Sequence, residues 1–564
     1  MKTTRLYTLL ALLLVFGAKA SAQEPEWSWR TSLAEADTAF FRADEPYELS
    51  DGTVLLSGRT VYKDDCGLYK YYFPHPALQS LSSEGTELYH RQYAKEGYFG
   101  TMPHVLESGS GEVFLFITYS PDHDTCSSNY FKNFEPVTDH CILGLYKLND
   151  DLSIAESHEL EIPIDTFEWR NEQNQLMYYR CGQIFPISAF VDDDGSIVGA
   201  YTKNVSWDYD NPRGYDSTVF FRMDLQGSLV RRASYCGNFR SGAFPDDRFC
   251  RHHIVKADSL YLYYGFEYDV ISENRSNLIY LDHDFNIVRT RYFRHSNAVH
   301  PTWNDEFQYM NIIRSQRGTT YLTSSFINND YHYSSVLYEY NDDINGNGGT
   351  APIVRYAERK TEQFDFPTYY TCVDLSRDGS LYMAYTLHQN VSVNGDSWIV
   401  IERLTPEFDT ISTLFFGELG DRKSFSAFGI KATEDGGVIL VSRINNLNNN
   451  QRWNDVRKYP AEAFVGIEEA HDSGLKVAIA YPNPGKDVLN IRTGLKDARV
   501  DVYDLSGRMV YRQEITENVT AINTTDWSEG SYVWKVYAGV STLRPGSATA
   551  GSGTLAETGK WVKE

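Results

Sequence analysis

Short polar turns followed by runs of alternating apolar residues recur along most of the chain. A clear example is Asp378-Gly379-Ser380, which precedes the apolar run that starts at Leu381. Gly tolerates the positive φ that a tight hairpin turn requires, and period-two alternation is typical of half-buried strands. Turns of this kind are centred on residues 52, 111, 195, 259, 318, 379 and 436. The pattern therefore predicts seven hairpins at a spacing of about sixty residues.

A second hairpin follows most of these turns at a steady distance, for example at 221–230 around Gln226-Gly227. Two hairpins make a four-stranded antiparallel sheet. One such sheet leaves a face uncovered, whereas sheets stacked around an axis cover one another. We therefore predict an all-β fold with a seven-bladed β-propeller over residues 23–465. The segment 27–33 is expected to complete the last blade.

The interval between the second and third turns is the longest of the series, at 84 residues. It predicts an insertion of about twenty residues within 120–140 or within 166–181. Long insertions in repeat proteins usually lie over one face and often help to shape a binding site. The first of these segments is rich in Asp and His, including Asp139-His140, but has no recognisable metal-ligand spacing.

The Asp-Gly turns invite comparison with the Asp boxes of sialidases, Ser-x-Asp-x-Gly-x-Thr-Trp. The segment 376–380 comes nearest, but no residue separates Asp378 from Gly379. We interpret the Asp-Gly pairs as hairpin turns. They are similar to the degenerate Asp-Gly-Gly-x-Ile-Leu repeats of secreted bacterial propellers, most clearly at 433–441, and this similarity supports the fold alone.

The N-terminus has the three parts of a secretory signal peptide over residues 1–22. Lys2 and Arg5 precede an apolar stretch at 6–16 and small residues at 20–22. Eleven apolar residues in a helix span only about half of a ~30 Å hydrocarbon core, so cleavage after Ala22 is favoured over a membrane anchor. No later stretch approaches the length of a membrane span. The mature chain is therefore expected to lack a transmembrane segment.

Composition excludes several classes of protein. The chain has 564 residues, of which 42% are apolar and 23% charged, and its net charge is −24. Length and apolar content suffice for two or three folded domains and do not fit a disordered protein. A phosphate-binding surface needs clustered Lys and Arg, which this acidic chain lacks, so no nucleic-acid partner is predicted.

All seven cysteines follow the signal peptide and would reach an oxidising compartment. An odd number leaves at least one thiol unpaired within a monomer. The closest neighbours in sequence, Cys126 with Cys141 and Cys236 with Cys250, are the candidate disulfides. For any one of them a buried thiol is an equal alternative.

The character of the chain changes after Val465. A polar linker over 466–477 precedes short alternating strands, which indicate a small immunoglobulin-like β-sandwich over 478–564. Several motifs occur there in order: Tyr481-Pro482-Asn483-Pro484, a hairpin containing Tyr503 and Gly507, the pair Gly530 and Tyr532, and the terminal Gly559-Lys560. Together these residues resemble the type A C-terminal sorting domain of the type IX secretion system.

The resemblance implies export through the periplasm in a bacterium of the Bacteroidota. Its partners would be the outer-membrane translocon and the sortase machinery, with the motif residues as the sorting signal. The domain is usually removed, and the cargo is released or attached to the outer-membrane surface. One departure from the family is a long stretch rich in Gly, Ser and Thr between Ala538 and Thr558.

Candidate chemistry is sparse, because no hydrolase, nucleotide-binding or zinc-protease motif occurs. Asp343, Asn345 and Asn347 alternate like the first ligands of a calcium loop, but Val354 stands where an EF-hand has its closing Glu. We favour a plain exposed loop there, with calcium as the alternative, and predict no other cofactor. Whether the protein is an enzyme is left open by the sequence.

The predicted function is that of a secreted or surface-displayed binding module, whose propeller contacts a glycan or an envelope protein. The alternative is a glycosidase with its active site in the propeller funnel. Such a site needs carboxylates that different blades bring together, and spacing along the chain does not reveal them.

Overall fold

The computed structural model is all-β and describes most of the chain. The described residues are 25–33, 39–62, 75–101, 103–121, 139–170, 176–181, 184–203, 217–236, 254–267, 275–293, 303–315, 317–328, 333–340, 353–359, 366–367, 373–387, 397–416, 423–449, 451–464, 478–481, 485–493, 495, 498–504, 507–516, 519–538 and 554–563. They divide into two compact units: the first holds 25–410 and 417–461, and the second holds 462–564 with the short segment 411–416.

Before residue 465, the described residues form seven antiparallel sheets of four or five strands, named I to VII here. The chain begins with β1 (Trp27–Ser32), which belongs to sheet VII. Sheet I contains β2 (Ala39–Glu48), β3 (Val54–Tyr62), β4 (His75–Leu81) and β5 (Glu87–Gln92). Sheet II contains β6 (Tyr98–Gly100), β7 (His104–Glu107), β8 (Val113–Pro121), β9 (His140–Leu148) and β10 (Ile154–Pro163).

A separate hairpin of β11 (Asp165–Arg170) and β12 (Leu176–Cys181) follows sheet II. Sheet III contains β13 (Ile184–Val191), β14 (Ile197–Lys203), β15 (Ser217–Met223) and β16 (Leu229–Cys236). Sheet IV contains β17 (Ile254–Ala257), β18 (Leu260–Glu267), β19 (Arg275–Leu281) and β20 (Ile287–Phe293). Sheet V contains β21 (Trp303–Arg314), β22 (Thr320–Asn328), β23 (Tyr333–Tyr340) and β24 (Ile353–Arg359).

The last two of these sheets complete the series. Sheet VI contains β25 (Phe366–Pro367), β26 (Val373–Leu375), β27 (Leu381–Leu387), β28 (Trp398–Leu404) and β29 (Thr410–Phe416). Sheet VII contains β30 (Lys423–Ala432), β31 (Val438–Asn446) and β32 (Gln451–Tyr459), with β1 as its fourth strand. A 3-10 helix (Ala461–Phe464) follows. Among the described residues, no helix has the length and apolar character needed to span a membrane.

The first strand of each sheet takes part in its contact with the preceding sheet. Strand β13 contacts both β7 and β17, β21 contacts β17 and β26, and β26 contacts β30. Sheet I contacts sheet II through β4 and β6, and β2 contacts β30 of sheet VII. The succession of sheets is therefore closed, because the last sheet meets the first.

The N-terminal segment pairs with the last sheet, as the sequence predicted. Strand β1 runs antiparallel to β32, from Trp27 opposite Lys458 to Ser32 opposite Trp453. Trp27 and Trp29 are each only 8% exposed and belong to a core cluster shared with residues of sheet I. Strand β1, near the N-terminus, thus completes sheet VII, whose other strands come from residues 423–459. The indoles of β1 pack against sheet I.

The predicted Asp-Gly turns have the expected backbone. Six of the seven contain a Gly with a positive φ, between 79° and 88°, and the seventh has Asp258 at φ 54°. At the first turn the Gly52 amide donates to the Leu49 carbonyl at 2.9 Å, and the Leu49 amide donates to the Thr53 carbonyl at 2.8 Å. The hairpin interpretation of these pairs is therefore confirmed.

The second hairpin turns contain a feature that the sequence did not indicate. Leu152, Phe285 and Phe408 occupy the positive-φ position that Gly usually takes, with φ between 63° and 72°. Phe285 is fully buried beside Phe220, and the Tyr235 hydroxyl donates to the Phe285 carbonyl at 2.5 Å. Burying a Phe contributes about 1.5–3 kcal/mol, which offsets a left-handed backbone cost of roughly 1–2 kcal/mol. The turn thereby anchors sheet IV to sheet III.

An inserted hairpin occupies the second of the two expected positions. Strands β11 and β12 pair from Asp165 opposite Cys181 to Arg170 opposite Leu176, between sheets II and III. The first expected segment lies largely outside the described residues, which resume at Asp139. The long interval between the turns thus contains at least this extra pair of strands.

The second unit contains two antiparallel sheets with a shared core. One sheet has the order β33–β34–β37, with β33 (Ala478–Tyr481), β34 (Val488–Thr493) and β37 (Val519–Asn523). The other has the order β36–β35–β38–β39, with β35 (Ala498–Asp504), β36 (Met509–Ile515), β38 (Gly530–Ala538) and β39 (Thr554–Lys563). Leu489 and Ile522 of the first sheet share a core cluster with Val500, Trp534 and Trp561 of the second.

Candidate functional site

A buried cluster of charges lies where sheet I meets sheet VII. The Asp44 carboxylate is completely buried between two guanidinium groups. The Nε of Arg59 is 3.2 Å from one Asp44 oxygen, and Arg443 donates to the other. Arg443 also donates to the Ala43 carbonyl at 3.2 Å and lies 3.5 Å from the centre of the Phe428 ring. These contacts join the first and last sheets, and they leave little of the Asp44 carboxylate for a ligand.

Side chains of the last sheet also bind the free backbone edge of β2. The Ala43 amide donates to Asn454 Oδ1 at 3.2 Å, and Asn454 Nδ2 donates to the Phe41 carbonyl at 2.8 Å. Ser120 does the same for Ile184 of sheet III, whose amide donates to its hydroxyl at 2.9 Å. Backbone groups at a strand edge that is buried need such partners. Polar side chains thus connect successive sheets where no strand pairing exists.

A second charge cluster lies between sheets III and IV. Asp192 accepts hydrogen bonds from Lys256 at 2.6 Å, Tyr261 at 2.5 Å and Arg222 at 3.1 Å. Burial raises the pKa of Asp192, but the hydrogen bonds from Lys256 and Tyr261 outweigh it and lower that pKa to about 2. The carboxylate is therefore ionised at neutral pH and is unsuited to donate a proton.

A similar contact lies between sheets VI and VII. Lys431 of sheet VII donates to Asp374 of sheet VI at 2.9 Å, just as Lys256 of sheet IV donates to Asp192 of sheet III at 2.6 Å. Within sheets VI and III, Arg403 donates to Asp378 at 2.6 Å and Arg222 to Asp194 at 2.7 Å. Because the Lys–Asp pair recurs at two junctions, we interpret both clusters as connections between sheets. Alternation alone did not indicate these Arg residues, because their partners lie on another strand.

A smaller polar group lies at the end of sheet II, near the inserted hairpin. The imidazole of His140 is 2.8 Å from the Tyr98 hydroxyl through Nε2 and 2.9 Å from the Asp139 carboxylate through Nδ1. An imidazole between a phenol and a carboxylate can relay a proton. Within the described ranges, no group of three or more His, Cys, Asp or Glu side chains is arranged to hold a metal ion.

Several candidates from the sequence lie outside the described residues. These are the calcium candidates Asp343, Asn345 and Asn347, together with Cys126 and Cys250. Cys141 is 2% exposed in the core of sheet II, and Cys236 is the last residue of β16. The calcium site and both disulfides therefore stay predictions.

Three motif residues of the second unit lie in its core or pack against it. Tyr481 is buried at the end of β33, while 482–484 lie outside the described residues. Tyr532 packs on Trp527, with ring centres 4.9 Å apart. A Cβ at Gly559 would lie 2.5 Å from the Trp534 ring, so only Gly allows this indole to pack there. Tyr481, Tyr532 and Gly559 thus maintain the core of the second unit.

Gly507 lies in the turn between β35 and β36, with φ +83°. Its amide donates to the Asp504 carbonyl at 2.9 Å, and the Arg508 amide donates to the Asp504 side chain at 3.0 Å. Apart from its chain neighbours, no atom of the described residues lies within 4 Å of a Cβ placed at this position. The need for Gly is therefore a matter of backbone conformation and not of space.

Replacing Gly507 with Val should destabilise the second unit by about 1–3 kcal/mol, because a β-branched residue strongly disfavours a positive φ. We expect less secreted protein and an unchanged thermal transition of the first unit. Met509→Val, a β-branched replacement in the adjoining extended strand, is the matched control and should change stability by less than about 0.5 kcal/mol. Normal export of Gly507→Val together with an earlier transition of the first unit would show that the two units do not fold independently.

The second unit matches a family model. The model for the secretion system C-terminal sorting domain covers residues 479–544. The chain therefore carries a C-terminal sorting domain of the type IX secretion system. Such a domain directs its protein to the outer surface or the medium. This confirms the resemblance that the ordered motifs indicated.

Solved structures show only remote likeness to the whole chain. A protein of unknown function from Bacteroides caccae is 11% identical over 60% of this chain and 90% of its own, with a TM-score of 0.32. A copper-bound fungal alcohol oxidase is 8% identical over 95% and 99%, with a TM-score of 0.40. The sialidase of Trypanosoma rangeli is 8% identical over 95% and 92%, with a TM-score of 0.35. No curated protein matches the chain.

Proposed function

We propose that this exported protein is a binding module whose first unit, a seven-bladed β-propeller, contacts a glycan or an envelope protein. The closed succession of seven sheets supports the propeller, as does the completion of sheet VII by β1. The sorting domain, of type A by its motifs, supports delivery to the cell surface or the medium. The N-terminal signal peptide would take the chain to the periplasm first.

The state of the buried carboxylates supports binding over hydrolysis. Asp44 and Asp192 each contact two or more cationic side chains, and Asp455 lies 2.7 Å from both Arg30 and Arg457. A glycosidase needs one carboxylic acid that stays protonated until it donates its proton. Hydrogen bonds from Lys256 and Tyr261 outweigh burial and lower the pKa of Asp192, and Arg side chains enclose Asp44 and Asp455, so these three residues suit a rigid scaffold.

One observation favours the glycosidase alternative. Burial raises the pKa of Glu48, whereas hydrogen bonds from Lys458 and Thr433 overcome burial and lower the pKa of Asp435. Both acids surround Lys458, whose Nζ is 3.8 Å from Glu48 and 2.8 Å from Asp435. Two carboxyl groups with pKa values shifted in opposite directions are the usual pair of an acid and a base. Glu48 is therefore the residue to test for hydrolysis.

The decisive experiment is a glycan array combined with a hydrolysis screen, both with the full mature chain. Our proposal expects retention of a glycan or an envelope protein without any released sugar. The variant Glu48→Gln keeps the shape of the side chain but has no carboxyl proton to donate. It should bind as the native chain does. If the native chain releases sugar and Glu48→Gln does not, the binding proposal is wrong and the protein is a glycosidase.

A further inference from the structure

The outward face of the sheet β36–β35–β38–β39 carries an ordered set of cationic and aromatic side chains. Along β35, Ala498, Val500 and Val502 are at most 2% exposed and face the core. The alternate residues Arg499, Asp501 and Tyr503 therefore face away from it. Their cross-strand neighbours on this side are Met509, Arg512, Glu514, Val533, Lys535 and Tyr537, and Lys560 of β39 lies opposite Val533. We call this set the cationic face.

Asp501 organises the centre of the cationic face. It is paired across strands with Arg512 on one side and Lys535 on the other. Arg512 binds it through two hydrogen bonds of 2.7 Å, and Arg499 donates from Nε at 3.0 Å. Burial raises the pKa of Asp501, but the hydrogen bond from Arg512 and the charge of Arg499 outweigh it and lower that pKa. A buried anion thus fixes two guanidinium groups in place.

Aromatic rings lie beside two of the cations. The Arg499 guanidinium lies 5.0 Å from the centre of the Tyr537 ring, and the Lys535 ammonium lies 5.4 Å from that of Tyr503. Both distances are in the range of cation–π attraction. Arg512, with a side chain that is 45% exposed, still has N–H donors beyond the two that bind Asp501. The cationic face therefore presents oriented N–H donors to a binding partner.

The charge of this face differs from that of the chain around it. Among its described side chains, four are basic and two are acidic, namely Asp501 and Glu514. Residues 478–564 as a whole carry ten basic and ten acidic side chains, so the net charge of −24 belongs to the rest of the chain. A cationic area of this kind favours an anionic partner over a cationic one.

We propose that the cationic face is the surface by which the sorting domain docks onto an acid-rich protein surface of the export machinery. Half-buried Val533 and Val562 lie among the charges, and apolar area of this kind suits a protein better than a phosphate group. Arg and Tyr are also enriched where proteins contact one another. This proposal rests on the assignment of a sorting domain to the second unit, and it assigns one of its faces.

The test neutralises two cations that do not bind Asp501. Lys535→Gln with Lys560→Gln should lower the secreted amount of the full chain about tenfold, the effect of losing about 1.4 kcal/mol of binding energy. The matched control, Arg91→Gln with Arg377→Gln, removes the same charge from exposed positions of the first unit and should be secreted normally. Both variants should keep the thermal transitions of the native chain. Normal secretion of Lys535→Gln with Lys560→Gln would overturn the proposal.

The class of partner is tested by a photo-crosslinking amino acid at position 533 in a host that has a type IX secretion system. We expect a crosslink to a protein segment rich in Asp and Glu, lost in the Lys535→Gln and Lys560→Gln background. Exchange of those acids for Lys in the partner should restore secretion of a Lys535→Glu chain. A crosslink to lipopolysaccharide instead would overturn the proposal of a protein partner.

Deletion of 478–564 distinguishes a failure of the sorting-domain assignment from a failure of the docking face. Surface delivery without these residues contradicts the assignment of a sorting domain. Loss of delivery supports that assignment, and the Lys535→Gln and Lys560→Gln variant then tests the face alone.

Discussion

Replacing Arg443 with Ala should lower the free energy of unfolding of the first unit by about 3–5 kcal/mol. The substitution removes one of the two guanidinium groups that hold the fully buried Asp44 carboxylate, and breaking a buried ion pair by removing one partner is costly. It also removes the hydrogen bond to the Ala43 carbonyl and the contact with the Phe428 ring. Urea unfolding followed by Trp fluorescence measures the change.

Two further variants separate the charge from the packing. Arg377→Ala removes an ion pair with Glu434 that is largely exposed on both sides, and it should cost at most about 1 kcal/mol. Asp44→Asn combined with Arg443→Ala should cost less than the sum of the two single variants, because both remove the same ion pair. Equal costs for Arg443→Ala and Arg377→Ala would mean that the buried cluster does not hold the first and last sheets together.

The sequence revealed local features and missed distant partners. Positive-φ Gly residues and alternating runs predicted the turns and strands, because both depend on residues a few positions apart. Asp44 and Arg443 lie about four hundred positions apart and on different sheets, so no pattern in the sequence joins them. Phe285 takes a left-handed conformation only because its side chain is buried in a neighbouring sheet, which outweighs its local preference.

In the sorting domain too, the sequence indicated local motifs but not the contacts between strands. The order of the motifs was enough to identify the sorting domain, and of Arg499, Asp501 and Tyr503 the motifs included Tyr503 alone. Their association with Arg512 and Lys535 depends on the strand register, which includes an irregularity between Val502 and Tyr503. A shift of one residue in the register turns every side chain of a strand to the other face. The association of Asp501 with Arg512 and Lys535 is therefore known only from the structure.

Replacing Trp27 with Ala should destabilise the first unit by about 3–5 kcal/mol, as expected for the loss of a large buried ring. Trp27 is on β1 and packs over Gly85, in the turn between β4 and β5 of sheet I. A Cβ at Gly85 would lie 2.6 Å from the indole, and Gly85 has φ +78°. Gly85→Ala therefore has two costs, a backbone cost and the displacement of Trp27.

A double-mutant cycle distinguishes these two costs. In the native background, Gly85→Ala should cost clearly more than the ~1 kcal/mol that a positive φ alone imposes. In the Trp27→Ala background the clash is gone, and only the backbone cost should be left, which gives a coupling energy of about 1–3 kcal/mol. Gly52→Ala, at φ +85° with no atom closer than 3.5 Å to the added Cβ, is the control and should add independently to Trp27→Ala. Strict additivity at Gly85 would show that the indole does not pack on this turn, and the N-terminal strand would then complete sheet VII without fastening it to sheet I.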